Sequence, residues 1–167
     1  NIFNIGTYLD LNSKKSLNSS YDYIIGSYQS LKLALAYNDK TFKFELYGSG
    51  ENNLSRDYPV TGGTLPYANK ATTMGTSISY KLTSSFKMTG KYYRTNKAFN
   101  NVYSTSGKKR ADVNTVFGVK ADYYISDSFK LFAEVQSTKN TSNYDDTEVT
   151  NKNYSENSGT AGLSWSL

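Results

Sequence analysis

Whatever chemistry this chain performs falls to its carboxylates and amines, because it has neither histidine nor cysteine. Without histidine a Ser-His-Asp relay cannot be built. Without thiols there is no disulfide and no thiolate metal site. Two local clusters remain by residue type. Asp145-Asp146 and Glu148 form an acidic run, but the spacing and central glycine of a calcium loop are missing. The run therefore reads as a solvated loop, and no metal and no cofactor are expected. Lys108-Lys109-Arg110 is a short basic run that suits phosphate oxygens, or else simply solubilises a loop tip. Neither cluster assembles a nucleophile and a base, so the chain is read as a non-enzyme.

The larger constellation is distributed, with charge recurring at every second residue. Asp10, Lys32, Lys43, Glu45, Lys81, Lys87, Lys91, Lys120, Asp122, Lys130 and Glu134 all alternate with apolar neighbours. Period-two alternation is the signature of a strand with two unlike faces. Leu31, Leu33, Leu35 and Tyr37 oppose Lys32, Ala34 and Ala36. Phe42, Phe44 and Leu46 oppose Lys43, Glu45 and Tyr47. Phe117, Val119, Ala121 and Tyr123 oppose Gly118, Lys120, Asp122 and Tyr124. The same reading gives about eight strands, the first from about Ile2 to Ser13 and the last carrying Ala161, Leu163, Trp165 and Leu167. Gly6, Gly75, Gly118 and Gly162 fall on the charged face, where they make room for large neighbours such as Tyr8 and Lys120.

The turns place those strands. Asn38-Asp39-Lys40, Thr83-Ser84-Ser85 and Ser126-Asp127-Ser128 each precede Phe-Lys, at Phe42, Phe86 and Phe129, and the interval is nearly constant. That is a hairpin repeat with tight turns at one end and long polar loops at the other. The loops run about Lys14–Asp22, Gly50–Lys70, Lys97–Asp112 and Lys139–Asn157. Both prolines lie in the second of them, as expected where strands must donate to a ladder. Phe3, Tyr37, Phe42, Tyr80, Phe86, Tyr123, Phe129 and Trp165 collect beside the tight turns. They form one aromatic ring, as an interfacial girdle does.

A mean hydropathy of −0.61 is compatible with a membrane barrel, whose strands hide hydrophobicity on alternate residues. A formal charge of +5 without lysines clustered among aromatics argues against nucleic acid. Hairpin spacing, girdle, charged face and the ending Leu163-Ser164-Trp165-Ser166-Leu167 together resemble the small outer-membrane barrel families typified by outer-membrane proteins A and X. The resemblance covers residues 1–167 as a single domain. Leu167 departs from the aromatic residue that usually ends such barrels.

The resemblance implies an antiparallel up-and-down transmembrane β-barrel in the bacterial outer membrane, with short periplasmic turns and extracellular loops. Its partners would be the lipid bilayer, lipopolysaccharide at Lys108, Lys109 and Arg110, and a protein or glycan at the loops. The charged face becomes a lumen plugged by ion pairs, with Lys43 and Glu45 near Lys81, and Lys120 and Asp122 near Lys130 and Glu134. The role is envelope-structural or surface-interacting. Two alternatives stand beside it: a narrow anion-preferring channel, and a soluble lipocalin-like ligand-binding barrel.

Overall fold

The computed structural model describes residues 2–14, 26–54, 58–60, 63–65, 68–102, 107–143 and 153–165. Asp145, Asp146, Glu148, Leu167 and most of the first polar loop lie outside the described residues. The elements are β1 (Ile2–Lys14), β2 (Gly26–Asn38), β3 (Phe42–Asn53), β4 (Tyr58–Val60) and β5 (Gly63–Leu65). They continue with β6 (Asn69–Lys81), β7 (Phe86–Val102), β8 (Lys109–Tyr124), β9 (Phe129–Ser142) and β10 (Tyr154–Trp165). Eight of them form one antiparallel up-and-down sheet in the order β1-β2-β3-β6-β7-β8-β9-β10, and β4 and β5 form a separate small hairpin.

The tight turns are built as their residues dictate. Asp39 accepts hydrogen bonds from the Thr41 amide at 2.8 Å and the Phe42 amide at 2.7 Å, which fixes the β2–β3 reversal. The other two turns share one pattern. Leu82 and Ile125 each donate to the phenylalanine carbonyl four residues on, Phe86 and Phe129, at 2.9 Å. The phenylalanine amides return to Thr83 and Ser126 at 3.4 Å. Recurrence of Phe-Lys at Phe86 and Phe129 is recurrence of this turn, while the turn before Phe42 is closed by Asp39.

Two expectations are corrected. The long loops are shorter than the sequence suggested: β7 runs on to Val102, β8 begins at Lys109, β9 reaches Ser142 and β10 starts at Tyr154. The Gly50–Lys70 segment holds the end of β3, the β4–β5 hairpin and the start of β6. In these stretches both faces carry polar residues, so the strands continue after the hydrophobic alternation has faded. The second correction concerns closure. The sheet is open, with β1 and β10 as its edges. Residues Tyr154 to Ala161 of β10 are exposed on both faces, as an unpaired edge requires.

The two faces differ sharply. One carries Ala34, Ala71, Phe99 and Val116 as its buried apolar residues, together with buried Asp112, Asp122 and Asn140. The sheet curls around this side, since Glu51 of β3 and Tyr154 of β10 line the same cavity. The convex side leaves Phe3 and Ile5 each 82% exposed, Met74 76% and Trp165 73%.

Candidate functional site

Register decides which charges meet on the concave face. Lys87 of β7 lies directly opposite Asp122 of β8, and Lys130 of β9 lies opposite Tyr124. Three lysines converge on the Asp122 carboxylate: Lys130 at 3.1 Å, Lys87 at 3.4 Å and Lys120 at 3.8 Å. Asp122 is only 2% exposed. Lys87 and Lys130 also flank the Tyr124 ring, at 5.7 and 5.8 Å from its centroid. A buried carboxylate needs counter-charge and hydrogen bonds. Here the excess is positive, and the aromatic face takes up part of it.

A second pair forms where the sequence could not indicate it. Lys91 of β7 reaches over β8 to Glu134 of β9. The residue opposite Lys91 on β8 is Gly118, and a β-carbon there would lie 2.5 Å from the Lys91 Cε. Glycine is therefore what opens the path across the intervening strand. On the other flank Glu45 receives Lys32 at 3.4 Å and Lys43 at 3.9 Å.

Two further glycines work in the same way. Gly75 lies beneath the ring of Tyr47, and Gly162 lies 3.0 Å, at its absent β-carbon, from the Phe132 ring. Both are direct register partners. A lysine from the preceding strand caps each ring, Lys32 over Tyr47 at 4.2 Å and Lys120 over Phe132 at 4.8 Å. The stack of lysine, aromatic and glycine thus occurs twice, each time across three adjacent strands. The glycines were expected to accommodate large neighbours such as Tyr8 and Lys120; at Gly75, Gly118 and Gly162 the neighbours are instead Tyr47, Lys91 and Phe132. That assignment needs the register, which alternation alone does not supply.

The expected meeting of Asp122 with Lys130 is present, and the other expected pairings change. Lys120 meets Asp122 on its own strand, and Glu134 takes Lys91. Lys81 sits exposed at the end of β6, opposite Lys87 rather than beside a carboxylate. The side chain of Asp10 lies outside the described residues. The basic run does not stay together either. Arg110 turns to the concave face, where its Nε donates to Asp112 at 2.9 Å and its guanidinium stacks 4.4 Å from the Phe99 ring. Lys108 and Lys109 remain exposed.

The eight girdle residues fall into four cross-strand pairs: Phe3 with Tyr37, Phe42 with Tyr80, Phe86 with Tyr123 and Phe129 with Trp165. Phe3 and Tyr37 have ring centroids 5.2 Å apart, and Tyr37 and Phe42 6.2 Å. Above the ion pairs, toward the loop end, a polar cavity of about 360 Å³ is lined by Glu51, Lys97, Arg110, Asp112, Asn140 and Tyr154 among others. Among the described residues no cluster of carboxylates could hold a metal ion. Comparison with family models, curated proteins and solved structures gives no match to this chain.

Proposed function

We propose that the chain is an integral outer-membrane β-barrel of non-enzymatic, envelope-structural or surface-interacting role, with an interior filled by ion pairs. The observation that carries this reading is the division of the sheet into a charged concave face and an apolar convex one. Leu9 at 68%, Leu11 at 64%, Leu33 at 56%, Leu35 at 51% and Leu163 at 66% exposure would all face water in a soluble monomer. Soluble monomers rarely expose so continuous an apolar surface. In a bilayer the same surface meets acyl chains, and the aromatic pairs beside the turns lie at one interface.

Strand stagger supports closure. At each tight turn the register steps by two residues: Tyr37 opposes Phe44, Tyr80 opposes Met88 and Tyr123 opposes Leu131, each two past the girdle residue of its strand. A regular stagger is what lets a tilted sheet close. One more such step would set Trp165 opposite Ile5, pairing β10 with β1. It would also bring Glu156 opposite Lys14 and Thr160 opposite Asp10. Likeness to the small outer-membrane barrel families rests on this architecture.

Insertion is tested with purified protein and lipid vesicles. Leu33→Arg puts a cation at mid-strand on the lipid face and should cost about 2–4 kcal/mol of stability in the bilayer. A wild type that is folded and monomeric without detergent, or a Leu33→Arg variant as stable as wild type, overturns the membrane reading. Planar-bilayer recording separates the filled barrel from a channel. Large steady conductance would favour an anion-preferring pore, because lysines outnumber carboxylates on the concave face.

A further inference from the structure

Every charged side chain on the convex face of the described strands of the eight-stranded sheet is basic. Lys70 of β6, Arg94 of β7, and Lys109 and Lys139 of β9's neighbour and β9 itself are exposed there, while the carboxylates of these strands sit on the concave side. Arg94 and Lys139 are tied to one residue by register: Thr115 of β8 opposes Arg94 on one flank and Lys139 on the other. Adjacent strands are about 4.8 Å apart, so the two cations stand about 10 Å apart at the backbone with a hydroxyl between them. Arms of that length close easily on one phosphate.

Their height is equally telling. Arg94 lies eight residues beyond Phe86 along β7, and Lys139 ten beyond Phe129 along β9. At about 3.3 Å per residue and a tilt near 45°, eight to ten residues climb roughly 19–23 Å, close to the apolar band of a membrane barrel. The cations therefore stand where acyl chains give way to headgroups, at the end opposite the girdle. Below them Gly90 leaves open space beyond its α-carbon, beside exposed Tyr92 and Phe117. Nearby on the same face, a groove of about 420 Å³ runs from Lys70 to Val113 over Ala98 and Ala111.

We infer that Arg94, Thr115 and Lys139 bind the phosphate of an anionic lipid in the outer leaflet, with Lys70 four residues farther toward the loops, on the groove. The acyl chain lies over Gly90 and the headgroup enters the Lys70–Val113 groove. The inference rests on the membrane reading and extends it to a defined lipid class.

The test uses the protein folded in phosphatidylcholine vesicles carrying trace spin-labelled phosphatidylglycerol or spin-labelled phosphatidylcholine. Wild type should hold the anionic label at least threefold more strongly than the neutral one. Molar salt should reduce that preference, and 10 mM inorganic phosphate should leave it intact, because the chain contacts contribute. Arg94→Gln combined with Lys139→Gln should bring the ratio near one, whereas Lys40→Gln at a tight turn should not change it. Equal association of both labels with wild type, displacement by inorganic phosphate alone, or an unchanged ratio in the double variant overturns the inference. Failure of wild type to insert into neutral vesicles sinks the membrane reading itself, and this inference with it.

Discussion

Cross-linking β1 to β10 tests barrel closure at the level of single residues. Carrying the two-residue step past Trp165 sets Leu163 opposite Thr7, Ala161 opposite Leu9 and Gly159 opposite Leu11. Directly opposed residues have β-carbons about 4.5–5.5 Å apart, and their α-carbons fall within the window of about 4.4–6.8 Å that a disulfide spans. A slip of two residues displaces the partner by about 6.6 Å along the strand, which breaks that geometry. The chain has no cysteine of its own, so Leu9→Cys with Ala161→Cys offers one possible bond. The comparison pair, Ile5→Cys with Ala161→Cys, is about 13 Å out of register. After folding in vesicles and oxidation, the first pair should give a compact, fast-migrating monomer on a non-reducing gel, and the second should not. A bridge closing so long a loop can stabilise by up to about 5 kcal/mol, so the cross-linked barrel should also resist urea better. Equal cross-linking of both pairs would mean that the edges meet without fixed register. Dimers alone would mean that each edge pairs with another copy. Either result refutes closure by extrapolated stagger.

Three further outcomes follow from contacts on the concave face and at the turns. Asp122→Asn strands three lysines around a 2% exposed site. Because those lysines are themselves 26–33% exposed, the loss should sit at the lower end of the 3–5 kcal/mol typical of a broken buried pair. It is measured by urea unfolding followed through Trp165 fluorescence, and a loss below about 1 kcal/mol contradicts the hub. Gly75→Ala drives a methyl into the Tyr47 ring and should destabilise by about 1–3 kcal/mol, an effect that shrinks in a Tyr47→Ala background if the clash is its cause. Asp39 is held below its ordinary value of 3.8 by the amides of Phe42 and then Thr41. Its contribution is therefore present above the ordinary carboxylate pKa and lost as pH falls through the lowered folded value. The stability gap between wild type and Asp39→Asn should narrow under acid titration, and a pH-independent gap would remove Asp39 as its source.

Face assignment was legible in the sequence because a strand has a period of two, and this chain keeps its large aliphatic residues out of phase with its charged ones from Leu31 to Leu35 and from Phe129 to Val135. The turns were legible because Thr83 and Ser126 head the same hydrogen-bonded reversal. Strand ends were not, because Arg94-Thr95-Asn96-Lys97 is polar on both faces and carries no phase. Ion-pair partners were least legible. Lys120 and Glu134 are direct cross-strand partners, yet each finds its counter-charge elsewhere, because Gly118 lets Lys91 cross a whole strand to Glu134. A missing side chain redirects a contact two strands away, and its effect is visible only once the register is known.

The concave face is unequal along its length, and this bears on the membrane reading proposed above. Toward the tight turns the face is filled by Tyr47, Phe132 and the lysines on Asp122, with the Lys91–Glu134 pair crossing it. Toward the loops it opens into the polar cavity lined by Glu51, Arg110 and Asp112. A solute arriving from the loop side would meet both signs of charge and then a wall of paired side chains. On the membrane reading, transport would require the Lys91–Glu134 pair, whose side chains are 35% and 25% exposed, to part. Contact at the loop end requires no such rearrangement. On the proposed membrane reading, the loop-end cavity and the basic residues of the convex face at nearly the same height would make the loop end the working end of the barrel.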